Sequence, residues 1–407
     1  MAAPAAANRP YWHPAAAVAA APNKRHRTAA AVAAPMDDDV DVAAAAQSQQ
    51  QPLLPGLPDH LAQLCLSPLP PRLMHAVCRP WRRLLYSPSF PPFPSLYAVL
   101  DDADGDGVSF SAYDTVAGRW DELPPPPMPS PPPKLWHPSF LSRRLPLQSV
   151  AAAGRLVVVA GSTQSLSPAL SRPVVFDPAA PTPRWQLGPR FPFAPRRWCA
   201  AGAVRGRVFL AGGVGAGYDA VDARSGAVWD PSAPSATWEP LPPLRDGRFS
   251  RDASEAVCSG GKVCMVSLRS RGAKEGAVFD LRARRWEDMP PGMLAGWKGP
   301  AAASSSDSSG ETIFVVDEER GALIAYDWAS DRWRTVADSE RLKGAAEMAA
   351  GGGRVCVVAE GGEKVIVVDV TTKPRRGSAA PRMWEVAAPV GKRVVALQVL
   401  PRMAHTE

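Results

Sequence analysis

GRVFLAGGVGAGYDAVDARSGAVWDPSAPSATW, residues 206 to 238, holds the parts of a repeating unit in order. A glycine turn at Gly206 leads into an apolar, β-favouring run. A variable loop follows, then a strand ending in Trp229-Asp230, a short turn, and a further strand starting at Trp238. The same order recurs along the chain. Glycines 154, 261, 310 and 353 each open a β-rich run. The markers Tyr113-Asp114, Phe176-Asp177, Phe279-Asp280, Tyr326-Asp327 and Val368-Asp369 each precede a tryptophan, at Trp120, Trp185, Trp286, Trp333 and Trp384. Including Trp238, these tryptophans lie 47 to 65 residues apart, a self-similarity that implies stacked repeats rather than separate folds. With a small-residue strand ahead of each glycine, one unit makes a four-stranded antiparallel sheet. Such a sheet cannot bury its faces alone, and radial stacking of copies solves that.

The repeat at Tyr97 to Trp120 lacks an innermost strand, while Val394 to Leu400 is a lone strand without a blade. Pairing the two closes a ring and removes an exposed edge. The expectation is mainly β, a six-bladed β-propeller, with five or seven blades if one marker is misread. The recurring Asp114, Asp177, Asp230, Asp280 and Asp327 occupy equivalent turn positions, where a carboxylate caps backbone N–H groups. Their expected role is structural.

Upstream, residues 53 to 90 read LLPGLPDHLAQLCLSPLPPRLMHAVCRPWRRLLYSPSF. Pro58, Pro71 and Pro80 mark three helix starts, where a missing N–H costs nothing. Leu57, Leu61 and Leu64, then Leu73 and Val77, then Trp81, Leu84 and Leu85 fall at helical spacing, so each helix has one apolar face. About forty residues is the lower limit for a self-sufficient core, so the module is expected to borrow burial from a partner or neighbour. The order from Leu57-Pro58 through Leu69-Pro70, Val77-Cys78-Arg79 and Trp81-Arg82 to Phe90 resembles the F-box, with Pro80 as a departure. The repeats resemble kelch in diverged form. The family's double glycine is intact only at Gly212-Gly213, and Gly161-Ser162 replaces it one unit earlier.

What the two resemblances imply is an F-box/kelch-repeat protein of the type common in plants. A three-helix F-box module would precede a kelch-like propeller and dock a Skp-type adaptor, and through it a cullin-RING (SCF) ubiquitin ligase. Leu57, Pro58, Leu61, Leu64, Leu69, Pro70, Leu73, Val77 and Trp81 would carry or support that docking. The protein itself would be a non-catalytic subunit that holds a target protein. The alternatives are a kelch scaffold or regulator that binds the adaptor without ligase output and, more remotely, a propeller oxidoreductase.

Composition supports this division. The chain has 407 residues with 46 Pro and 32 Gly, which puts punctuation almost everywhere and leaves no room for long helices outside the first module. Residues 1 to 52, mostly Ala, Pro and Gln, are predicted to be a disordered tail, 53 to 92 the helical module, and 95 to 403 the propeller. The basic run at Lys24, Arg25, His26 and Arg27 is either a nuclear-import address or a solvated charge cluster, and the expected location is cytoplasmic, nuclear or both. Net charge is +7 with both signs interspersed, so neither nucleic acid nor membrane is an expected partner. Six cysteines without a CxxC pair fit a reducing compartment. After residue 75 only His137 and His405 occur. No metal or other cofactor is expected, and copper, which some kelch-type oxidases bind through histidines, lacks its ligands here. No phosphate loop, HExxH or GxSxG occurs.

Loops joining strands two and three, and those joining strand four to the next blade, emerge on one face of a propeller. Arg190, Arg196, Arg197, Trp198, Arg245, Arg248, Phe249, Arg251, Trp297 and Lys298 fall there, with Arg269 and Arg271. Arginine with aromatics is the mixture that interface hot spots favour. This face is the expected target-binding surface for an acidic or polar segment. The competing reading is ordinary solvated loops, or arginines packed on backbone.

Overall fold

The computed structural model describes residues 52–102, 108–135, 147–233, 237–245, 247, 249, 254–267, 274–306, 310–371 and 381–404. Residues 1 to 51 of the predicted tail, with its basic run, lie outside them. So do His137, Arg248, Arg251, Arg269 and Arg271.

Three short helices come first: α1 (Asp59–Leu66), α2 (Pro71–Val77) and α3 (Arg79–Tyr86). Pro58 precedes the first helical residue of α1, while Pro71 and Pro80 lie in the opening positions of α2 and α3, as their missing N–H groups allow. The strands follow. β1 (Pro94–Asp102), β2 (Val108–Asp114) and β3 (Arg119–Glu122) belong to the first blade. The second has β4 (Gln148–Ala152), β5 (Arg155–Ala160), β6 (Val174–Phe176) and β7 (Trp185–Leu187). The third has β8 (Ala200–Val204), β9 (Arg207–Ala211), β10 (Gly226–Trp229) and β11 (Glu239–Leu241). β12 (Ser254–Ser259), β13 (Lys262–Ser267), β14 (Glu275–Asp280) and β15 (Arg285–Asp288) form the fourth, followed by α4 (Pro291–Gly296). The fifth has β16 (Ala301–Ser306), β17 (Gly310–Asp317), β18 (Ala322–Asp327) and β19 (Arg332–Asp338). The sixth has β20 (Glu347–Gly351), β21 (Arg354–Val358), β22 (Lys364–Asp369) and β23 (Met383–Ala387), and β24 (Lys392–Pro401) ends the series.

Among the described residues these strands form six four-stranded antiparallel sheets. β24 pairs antiparallel with β1 from Pro94↔Pro401 to Asp102↔Lys392, supplying the innermost strand that the first repeat lacks. The innermost strands β24, β4, β8, β12, β16 and β20 neighbour one another in a closed ring. Between each pair of adjacent blades lies one apolar cluster, so the core is six wedges rather than one centre.

The turns explain the glycines. Ala153-Gly154, Arg205-Gly206, Gly260-Gly261 and Gly352-Gly353 all have positive φ at both residues. A two-residue hairpin matching the strand twist requires this, and glycine bears the second position without strain. At the other turn of each blade the predicted aspartate caps do form. Asp114 accepts from the N–H groups of Val116 and Ala117 at 2.7 and 2.8 Å, Asp280 from those of Arg282 and Ala283 at 2.8 Å. Asp177, Asp230, Asp327 and Asp369 each accept from the residue two positions on.

The tryptophans join blades. Indole N–H groups donate to carbonyls at the end of the preceding blade: Trp120 to Ala387 at 2.8 Å, Trp185 to Pro124 at 2.6 Å, Trp238 to Pro189 at 3.3 Å, Trp286 to Pro242 at 2.9 Å and Trp333 to Gly292 at 3.0 Å. The sixth marker departs from the pattern. Tyr113↔Trp120, Phe176↔Trp185, Phe279↔Trp286 and Tyr326↔Trp333 are directly paired, but Val368 pairs with Met383, and Trp384 sits opposite Val367. Side chains alternate along a strand, so this one-residue offset turns the indole to the other face. Met383 takes the usual place between blades five and six, and Trp384 packs between blades six and one.

Candidate functional site

The helical module closes its own small core. Leu66 of α1, Met74 of α2, and Leu84 and Leu85 of α3 are buried with Phe90 and Phe93, and Leu53, Leu54, Leu69 and Trp81 pack partly against them. The Trp81 indole N–H donates to the Leu53 carbonyl at 2.8 Å. Leu69 and Trp81, expected to carry or support docking, are thus half-buried against the module's core. Pro58 and Pro70 are exposed at the starts of α1 and α2.

The other predicted docking residues face outward. Leu57, Leu61, Leu64, Leu73 and Val77 are between 39% and 69% exposed. Half of the exposed large hydrophobic residues among the described ones are these five, all on two short helices and the turn before them. Scattered surface leucines need no explanation, but five exposed large apolar residues at helical spacing on a module this small mark an interaction surface.

The module is fixed to the propeller by polar bonds that the sequence does not announce. The Tyr86 hydroxyl at the end of α3 donates to Asp114 Oδ2 at 2.5 Å, so one aspartate caps its turn and holds the helix. Burial, reinforced by that carboxylate, pushes the Tyr86 hydroxyl far above its ordinary value. Arg402, just past β24, is buried, and its guanidinium donates to the Tyr86 and Ser87 carbonyls at 3.1 and 2.8 Å. Arg72 of α2 reaches the Thr115 carbonyl at 3.4 Å. Asp114 and Thr115 lie at the turn joining the third and fourth strands of the first blade, and Arg402 follows the end of its innermost strand, on the same side. Strand alternation places the module on that face, opposite the loops expected to bind a target.

On the loop face the arginines divide. Arg196 is 3% exposed, with its guanidinium bonded to the carbonyls of Gly212, Asp222 and Ser225 at 2.7, 3.0 and 3.2 Å and stacked 3.5 Å over Phe193. It organises the long β9–β10 loop and offers nothing to a partner. Arg197 donates to the carbonyls of Leu166 and Gly215, tying together loops of the second and third blades. Phe249 and Trp297 are buried as well, the latter donating to Glu255 at 3.0 Å. Burial of Arg196, Phe249 and Trp297 removes them from the expected contact set, and Arg197 is half-buried and held by the two carbonyls. Trp198 is half-buried, and Arg190, Arg245 and Lys298 are exposed, Arg245 paired with Asp288 at 2.8 Å and Lys298 with Asp317 at 3.4 Å. Tyr218 and Val221, which lie in the loop that Arg196 holds, are exposed on the same face and were not expected there. Their glycine-rich setting reads as an ordinary variable loop.

No family profile matches the chain. Among curated proteins it is 42% identical over 371 residues to the F-box/kelch-repeat protein SKIP25 of Arabidopsis thaliana, covering 87% of this chain and 90% of that protein. It is 26% identical to the F-box protein AFR of the same plant, over 66% of this chain and 70% of that one. A further Arabidopsis F-box/kelch-repeat protein is 26% identical over 71% of each chain. A helical module with an outward apolar row, a six-bladed ring closed by its last strand, and a relative this similar over most of its length place the chain in the F-box/kelch-repeat family.

Proposed function

We propose that the chain is the substrate-recognition subunit of an SCF-type cullin-RING ubiquitin ligase. The observation that carries this reading is the apolar row Leu57, Leu61, Leu64, Leu73 and Val77, left exposed by a module whose own core is already closed. Burying one such side chain contributes about 1.5–3 kcal/mol, enough that a partner is the natural cover. In this reading a Skp-type adaptor covers the row. A target protein is then held on the opposite face, where Arg190, Arg245, Lys298, Tyr218 and Val221 are the outward groups. The subunit catalyses nothing; it raises the effective concentration of the target beside the ubiquitin-loaded enzyme.

Reconstitution tests it. The chain mixed with a Skp-type adaptor and a cullin-RING core is expected to co-elute as one assembly and to direct ubiquitin onto a partner captured by residues 95 to 407. Adaptor binding without any ubiquitin transfer to a captured partner would instead identify a scaffold. Replacing Arg190 by Glu, Tyr218 by Ala and Val221 by Asp together should abolish capture while leaving the adaptor bound; undiminished capture would reject the assigned face.

A further inference from the structure

The displaced tryptophan of the sixth blade, Trp384, lines a cavity. Between blades six and one, beside α2, lies a space of about 70 Å³. Leu96 and Val399 are among its aliphatic walls, Tyr113 and Trp384 are its rings, and Arg72 and Arg354 its charges. Among the described residues no aspartate or glutamate lines it. The Arg354 guanidinium sits 5.6 Å from the centroid of the Trp384 ring, and among the described residues it has no carboxylate partner. Among the described residues Arg72 makes only the long contact to the Thr115 carbonyl. Arg72 is exposed and Arg354 half-buried, so both guanidinium groups are open to an incoming anion beside an apolar wall. They match what a carboxylate needs, since the guanidinium fork binds its two oxygens in a fixed geometry.

We propose that this cavity binds a small organic carboxylate, its oxygens between Arg72 and Arg354 and its apolar body against Trp384 and the aliphatic wall. An enclosed water needs about 10–15 Å³ of such space, so the cavity has room for roughly five water-sized groups. Arg72 belongs to α2 and Arg354 to the sixth blade, so a bound carboxylate is shared by the helical module and the propeller. Neither adaptor nor target enters the argument, and the site stands or falls separately from the ligase reading.

Calorimetric titration of the full chain with acetate, isobutyrate and inorganic phosphate tests it. Saturable binding of isobutyrate is expected, tighter than acetate by about fourfold for each methylene-sized group buried. Arg354→Gln and, separately, Arg72→Gln should each weaken it about tenfold or more, the loss of a hydrogen bond to a charged group. Arg72 is exposed on a helix outside the propeller, so its variant tests the site even if Arg354→Gln fails to fold. No saturable isobutyrate binding, binding that survives both substitutions, or phosphate binding more tightly than isobutyrate would each overturn the proposal.

Discussion

Leu64 and Leu66 sit two residues apart on α1, one 69% and the other 2% exposed. The periodicity of Leu57, Leu61 and Leu64 identifies a face but not the direction in which it points. That is decided by Ala62, Leu66 and Met74, which fill the interior first and are unremarkable in the sequence. The two leucines should therefore separate stability from binding. Leu66→Ala is expected to lower unfolding free energy by about 2–5 kcal/mol, and Leu64→Ala to change it by no more than about 0.5 kcal/mol, both read by denaturant titration. Equal losses would mean that the row is part of the core. Arg196 shows the same limit of legibility. A basic pair beside aromatics reads alike whether its guanidinium meets a partner or, as here, three carbonyls of its own loop. The aspartates were legible because their role is local: a carboxylate two or three residues before the N–H it caps needs nothing from the rest of the fold.

At the scale of the element, Trp384 is the instructive case. Tryptophan is the strongest marker of the repeat, and only the pairing of β22 with β23 reveals that Met383 holds the equivalent position. Sequence period locates a strand; its register is set by partners far along the chain. The joint is equally non-local, for Tyr86 and Arg402 are 316 positions apart. Arg402→Gln removes two charge-assisted bonds to the end of α3, a cost of about 1.5–3 kcal/mol for each. The segment from Ser87 to Phe93 should then be cut faster by protease, while the propeller keeps its cooperative unfolding; an unchanged cleavage rate would show that the module is held by its apolar contacts alone. On β20, burial pushes the Glu347 carboxyl up to about 7. A folded-state value above the unfolded one means that stability is lost as pH rises through the interval from about 4.3 to about 7. Glu347→Gln is accordingly expected to raise Tm at pH 8 and to leave it nearly unchanged at pH 4. The same shift at both values would contradict the assignment.

At the scale of the whole molecule, one strand links the ring to the helical module. β24 closes the ring against β1, and the residue after it, Arg402, grips the helical module. Ending the chain at Gly391 should therefore cost both: blade one loses its inner strand and exposes an edge prone to aggregation, and α3 loses its anchor. The number of blades and their closure were readable from the markers and the lone final strand. The placement of the module opposite the long loops was not, because it follows from three-dimensional strand alternation and from bonds between distant turns. The proposed division of labour between two faces rests on the apolar row. Its most direct test is the affinity of the intact chain for a purified Skp-type adaptor, measured beside a variant carrying Leu61→Asp, Leu64→Asp and Leu73→Asp. The expected result is a loss of about a hundredfold or more in Kd with Tm unchanged, as for truncating a central hot spot. Equal affinities of the two proteins would contradict it.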